Sequence, residues 1–155
     1  MAAKGTAHET CIRRLLRELS KLVTRATLQC QAPIVLPSDS EPEPDFTIVR
    51  DRDDDYLDAH PSPADVLLVI EIADSSLNYD QTTKLALYAE AGISDYWLFN
   101  LVENCLESYS EPYQNLQGNF GYRSKLIFLP NESANIPFFP DWCLDLSKVF
   151  PKMTY

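Results

Sequence analysis

No stretch of the 155 residues approaches the roughly 18 uninterrupted apolar residues that a membrane span needs, so no membrane-spanning helix is expected. The N-terminus lacks the succession of basic, apolar and small residues that makes a secretory signal, and a cytoplasmic protein is expected. There is no Cys-x-x-Cys pair. Cys11, Cys30, Cys105 and Cys143 stand singly, with only His8 and His60 to assist, so the pattern gives no support to a structural zinc site and points to free thiols in a reducing compartment. Positive charge is also scarce: 13 Lys and Arg against 23 Asp and Glu leave a net charge of −10. That balance argues against broad, non-specific binding to a polyphosphate, which normally requires a basic footprint. No internal repeat is present, and the only biased tract is a run of aspartates.

A 45% hydrophobic content is ordinary for a globular protein, and the length fits one domain, taken as 1–155 with its core at about 8–129. Charge is unevenly spread. Asp39, Glu41, Glu43, Asp45, Asp51, Asp53, Asp54, Asp55 and Asp58 crowd one segment, whereas Arg13, Arg14, Arg17, Lys21 and Arg25 crowd another. Local fields therefore differ in sign from the total.

Ile12, Leu15, Leu16, Leu19, Leu22 and Val23 recur at spacings of three and four, which predicts an amphipathic helix over 8–25. Residues 27–31 and 32–36 read as edge strands or an extended connection between Pro33 and Pro37, and 37–44 as a loop. A strand is expected at 46–50 and a mobile loop at 51–63. Residues 66–72, Val-Leu-Leu-Val-Ile-Glu-Ile, form the near-continuous apolar run of a central strand covered on both faces. A helix follows over 80–91, turned inward through Leu85, Tyr88 and Ala89 and ended by Gly92. Then come a hairpin of 95–101 and 104–110, a polar excursion at 111–118, a strand at 122–129 and a short helix at 145–150.

Three residues carry candidate chemistry. Glu71 interrupts an apolar strand, where an isolated carboxylate costs several kcal/mol unless a cation, a hydrogen-bond network or a proton compensates it. The plain alternative is a strand end already open to water. Asp45 follows Pro44 at the start of a strand; two carboxylates brought together from adjacent strands make a hard oxygen site suited to Mg²⁺, while a lone aspartate after proline is more often a turn residue. Lys84 leans inward from the following helix, or else forms an i,i+4 surface pair with Asp80. Tyr96 and Trp97 read as core aromatics, and Asp80 as a helix N-terminal residue favoured by the dipole.

Pro44-Asp45, Val69-Ile70-Glu71-Ile72, Asp80, Lys84, Tyr88, Gly92-Ile93 and Asp95-Tyr96-Trp97 stand in the order and approximate spacing of one family. The sequence resembles the Uma family of bacterial restriction endonucleases, a branch of the PD-(D/E)xK nuclease superfamily, from about His8 to Ser110, most specifically over 88–97. The resemblance implies an α/β, restriction-endonuclease-like fold with a mixed central β-sheet flanked by helices. It implies Mg²⁺-dependent hydrolysis of phosphodiesters, with Mn²⁺ as a possible substitute, DNA as substrate and a homodimer as working form. Asp45 and Glu71 would be the metal ligands, with the Ile72 backbone carbonyl completing the shell, and His8, Glu9 and Asp80 secondary candidates. The superfamily's lysine usually lies two residues after the glutamate; that position is Ala73 here, and the role passes to Lys84. The family's Ser-Pro-Ser turn is replaced by Ala73-Asp74-Ser75-Ser76. Two rival readings keep the same fold: a catalytically inactive dimeric interaction or regulatory protein, and a hydrolase of small phosphoesters.

Overall fold

The computed structural model describes residues 5–151. Helix α1 (Thr6–Leu22) forms where the three-and-four spacing requires it and buries Cys11, Ile12, Leu15 and Leu19, with His8 near its start. Leu16 departs from the expected stripe: it is 41% exposed, because it falls beside rather than within the arc set by Ile12, Leu15 and Leu19. Among the described residues no helix is long and apolar enough to cross a membrane.

Six strands form one mixed sheet in the order β1 (Thr27–Cys30), β2 (Phe46–Val49), β3 (Val66–Ala73), β4 (Asp95–Asn100), β5 (Cys105–Gln114) and β6 (Phe120–Phe128). Residues 32–36 take the connection alternative and form no strand. Strand β3 lies inside the sheet, antiparallel to β2 and parallel to β4, which explains why its apolar run does not alternate. A parallel pair needs a crossover, supplied here by α2 (Leu77–Tyr79), a π turn (Asp80–Lys84) and α3 (Leu85–Glu90). Gly92 ends it with φ +75°, a left-handed conformation that glycine adopts without a Cβ penalty.

Two apolar clusters cover the sheet's two faces. Under α1 lie Phe46, Ile48, Leu68, Ile70, Ile72, Trp97 and Phe99; under α3, and packed against its Tyr88, lie Val49, Val69, Tyr96, Leu98 and Tyr109. The first cluster is completed by a separate hairpin of β7 (Ser133–Ile136) and β8 (Phe139–Asp145), which had no counterpart in the sequence expectations. Ile70 is fully buried in it. Ile70→Val removes one methylene, with an expected loss of about 1 kcal/mol and a thermal midpoint lower by about 2–4 °C; an unchanged midpoint would show a core loose enough to collapse around the gap.

Two further expectations are corrected. The polar segment 111–118 is not an excursion throughout, since β5 continues through Glu111 and Pro112 to Gln114. Pairing with β4 stops at Ser110, so Pro112 lies where the side towards β4 is open and a missing amide costs nothing. Near the C-terminus only Leu146–Lys148 is helical, a single 3-10 turn capped by the Asp145 side chain, which accepts from the Ser147 amide.

Candidate active site

The β2–β3 register pairs Phe46 with Ile70, which sets Asp45, one residue earlier, beside Glu71, one residue later. The two then clasp each other: the Asp45 amide donates to Glu71 Oε1 at 3.0 Å, and the Ile72 amide donates to Asp45 Oδ2 at 2.8 Å. Glu71 is 2% exposed and Asp45 6%, so neither the open strand end nor the plain turn residue describes them. At Ile72, the group in contact with Asp45 is the amide.

The other oxygen of Glu71 is met from the crossover. Lys84 Nζ lies 2.7 Å and the Tyr88 hydroxyl 2.8 Å from Glu71 Oε2. Lys84 also lies 3.5 Å from Asp80 Oδ1, so both readings of Lys84 describe the same ammonium. Asp80 is 2% exposed and accepts from the Ser76 hydroxyl at 2.7 Å. It does not begin the helix, which starts three residues earlier at Leu77. It sits instead in the π turn, whose wider winding sets Asp80 and Lys84 towards the sheet.

On the α1 side, His8 Nε2 lies 3.4 Å from Asp45 Oδ2 and His8 Nδ1 lies 3.4 Å from Glu9 Oε1. His8 is buried, whereas the Glu9 side chain is 42% exposed and reaches the group through His8. The structure thus gathers Asp45, Glu71, Lys84, Asp80 and His8, and leaves Glu9 at the rim. Tyr88 enters as a direct partner of Glu71, although in the sequence it stood only as an inward helix position and a residue of the family resemblance, with no site role.

Burial, together with the nearby Asp45 carboxylate, pushes Glu71 up to about 7 against the pull of Lys84 and the Asp45 amide. Burial also raises Asp80. Burial disfavours the Lys84 charge, yet the attraction of Glu71 and Asp80 outweighs it and the ammonium is held above its ordinary value. Burial, then Glu71, pushes the Tyr88 phenol up, so it stays protonated and donates.

The aspartate run at 51–58 does not border this cluster. It joins the end of β2 to the start of β3, whereas Asp45 precedes β2 and Glu71 lies near the end of β3. Four residues of strand separate Asp45 from Val49, about 14 Å at the usual rise. The segment is also internally tied, since the Asp54 carboxylate takes the Arg52 guanidinium at 2.6 and 2.8 Å and the amides of Tyr56 and Asp58 at 3.2 Å. Those contacts hold Asp54 well below the usual carboxylate range and describe a folded turn rather than the mobile loop expected from composition.

Asp45 and Glu71 are hard oxygen donors; Glu71 and Asp80 both face the Lys84 ammonium, while Asp45 stands beside Glu71 with His8 on its other side. The donor chemistry fits Mg²⁺, which takes one or two carboxylates and keeps several waters. Among the described residues no group of three or more His, Cys, Asp or Glu side chains is arranged to hold a metal ion by itself.

A family model described as "Putative restriction endonuclease", Uma2, matches residues 1–147. Among solved structures, the chain is similar to a "putative nuclease belonging to DUF820" from Anabaena variabilis, with a TM-score of 0.72 and 14% identity, over 96% of this chain and 83% of that one. It also matches the type IIG restriction endonuclease BpuSI at a TM-score of 0.44 and 14% identity, over 77% of this chain and 13% of that one. No curated protein matches the sequence. The first likeness gives the fold, a restriction-endonuclease-like mixed sheet with few helices.

Proposed function

The chain belongs to the Uma2 family, described as "Putative restriction endonuclease", and from that premise we propose that it is a metal-dependent endonuclease hydrolysing phosphodiester bonds of nucleic acid at Asp45, Glu71 and Lys84. The observation that carries the reading is the buried carboxylate pair: Asp45 and Glu71 are clasped together out of water beside the Lys84 ammonium, and burial pushes Glu71 up, which favours a cation there. Asp45 and Glu71 would hold Mg²⁺ or Mn²⁺, with the Ile72 carbonyl as a further ligand. When bound, that cation supplies neutralisation of the phosphoryl charge and a lower pKa for its water.

The chain's own groups do the remaining work. The Ile72 amide holds Asp45 Oδ2 in place, and the Asp45 amide and Tyr88 hydroxyl hold the two oxygens of Glu71, so the carboxylates are oriented before any ligand arrives. Lys84 Nζ is a donor fixed beside Glu71, placed to orient an attacking water and to stabilise charge developing on the phosphoryl oxygens. His8, held between Glu9 and Asp45, supports Asp45 from the helix side. Nucleases of this architecture that cut both strands of a duplex often work as dimers, so the proposed working form is a homodimer.

The net charge of −10 favours a second reading, a hydrolase of small phosphoesters, because such a substrate needs no extended basic surface. Incubating the protein with plasmid, single-stranded oligonucleotide and a nucleotide monoester, in Mg²⁺, Mn²⁺ or chelator, separates the two. Metal-dependent cleavage of the polymers is the expected result, and cleavage of the monoester alone would select the second reading. Calorimetric titration with Mn²⁺ supplies an independent check. Binding in the wild type and its loss in Asp45→Asn are expected; no binding at millimolar metal would leave the inactive, regulatory reading standing.

A further inference from the structure

A second buried carboxylate lies outside the proposed metal site. Glu107, in β5, is 2% exposed and pairs in register with Leu98, which pairs in turn with Glu71. Both glutamates therefore point to the same face of the sheet, two strand spacings apart, about 10 Å. At that separation they do not share one ion, and Glu107 has no capacity left for a ligand. Its oxygens accept from Gln81 Nε2 at 2.8 and 3.1 Å, from Asn100 Nδ2 at 2.8 Å and from the Tyr109 hydroxyl, with Lys125 Nζ at 3.7 Å. A carboxylate offers about four acceptor positions, and these donors use them.

The partner that matters is Gln81. It belongs to the π turn that also carries Asp80 and Lys84. The same turn is fastened one residue earlier, where the Tyr96 hydroxyl donates to the Asp80 carbonyl at 3.0 Å. Two consecutive residues of an uncommon, wide turn are thus tied to β4 and β5, and three residues beyond Gln81 stands Lys84, 2.7 Å from Glu71. Single π turns are rare and frequently occur at functional sites, and ordinary α winding is the commoner alternative.

We propose that the Gln81–Glu107 bracket holds the π turn in its wide form and thereby sets Lys84 against Glu71, making Gln81 and Glu107 positioning residues of the site. The inference rests on the reading of Lys84 as the group that assists the attacking water. The mechanical part stands apart from that reading: without the bracket the turn relaxes towards α geometry and carries the ammonium away from Glu71.

The test uses a polarity swap. Gln81→Glu sets two carboxylates face to face, while Gln81→Glu combined with Glu107→Gln restores one donor opposite one acceptor. The first readout is the rate at which Lys84 is acylated by an amine-reactive reagent, followed by peptide mass spectrometry with exposed Lys21 and Lys148 as internal standards. Lys84 is expected to react slowly in the wild type, severalfold faster in Gln81→Glu and slowly again in the double variant. The second readout is cleavage: misplacement of about 1 Å costs up to about 100-fold, so kcat should fall about tenfold or more with KM nearly unchanged, and recover in the double variant. Should Gln81→Glu fail to fold, Gln81→Ala removes the bracket without the repulsion and is read in the same two ways. Unchanged Lys84 labelling in a folded bracket variant overturns the proposal, even if its stability drops. A wild type that cuts nothing would count against the nuclease reading alone, because the labelling result would still decide the positioning role.

Discussion

Glu71→Gln is expected to lower metal-dependent cleavage by about 1,000-fold while the protein keeps its fold. Glutamine has the length and branching of glutamate, so the side chain still fits between the Asp45 amide on one side and Lys84 with Tyr88 on the other. What disappears is one negative charge at the centre of the cluster. Removing a single preorganised electrostatic group from an active site typically costs about 100- to 1,000-fold in kcat, and Glu71 belongs at the upper end because it serves both the metal and Lys84. Glutamine also brings an NH₂ that must face a donor on whichever side it lies, a mismatch of about 1–3 kcal/mol that the fold can absorb. Gln is more informative than Ala here, since Ala would leave Lys84 and Tyr88 without their acceptor and confound stability with chemistry. The measurements are initial rates on a plasmid substrate, with circular dichroism to confirm folding. Cleavage equal to that of the wild type in a folded Glu71→Gln protein would sink the site assignment.

Glu71 was legible in the sequence because it breaks an apolar run whose length and composition already read as a central strand. Asp45 was legible through Pro44 and the strand that follows, and Lys84 through family resemblance once Ala73 stood in the usual lysine position. Their mutual geometry was not. The reciprocal clasp of Asp45 and Glu71 depends on the β2–β3 register, a relation between residues 26 positions apart that no local pattern records. The π turn escaped because a single wide turn leaves the three-and-four periodicity around it almost intact. That periodicity makes Asp80 look like a helix start, while the helix begins at Leu77. Glu107 could have been found by the reasoning that found Glu71, a carboxylate beside Cys105 and Leu106 in a strand, but the alternation of its neighbours made a solvent-facing position equally consistent. The β7–β8 hairpin was hidden by the shortness of β7 and by Pro137 and Pro140. The acidic run at 51–58 was visible at once, yet its position at the far end of β2 and β3 follows from topology alone.

The metal-free protein is expected to lose stability as the pH rises from about 5 to 8, opposite to the common behaviour of paired surface carboxylates. Glu71 binds its proton more tightly in the folded chain, up to about 7, than its ordinary value of 4.5. Between those two values the folded state carries more protons than the unfolded state, so stability falls with increasing pH across that window and levels off above it. Asp80, also raised by burial, contributes a fall of the same sign beginning above the ordinary aspartate value. Asp54, Asp65 and Asp145 are shifted downwards and act at pH below the ordinary aspartate value of 3.8, outside this window. At 1.36 kcal/mol per pKa unit, the Glu71 contribution is about 3 kcal/mol, enough to lower the thermal midpoint of a chain this size by several degrees. Thermal unfolding in chelator at pH 5, 6, 7 and 8 measures the slope. Two controls tie it to the site. Glu71→Gln should flatten most of it, because the group that takes up the proton is gone. Millimolar Mg²⁺ should stabilise the wild type more at pH 8 than at pH 5, because the cation competes with that proton for the same carboxylate pair and binds only the folded state. A midpoint that stays level from pH 5 to 8, or a slope that survives intact in Glu71→Gln, would mean that the buried charge is compensated within the protein, and the case for a cation at Asp45 and Glu71 would lose its main physical support.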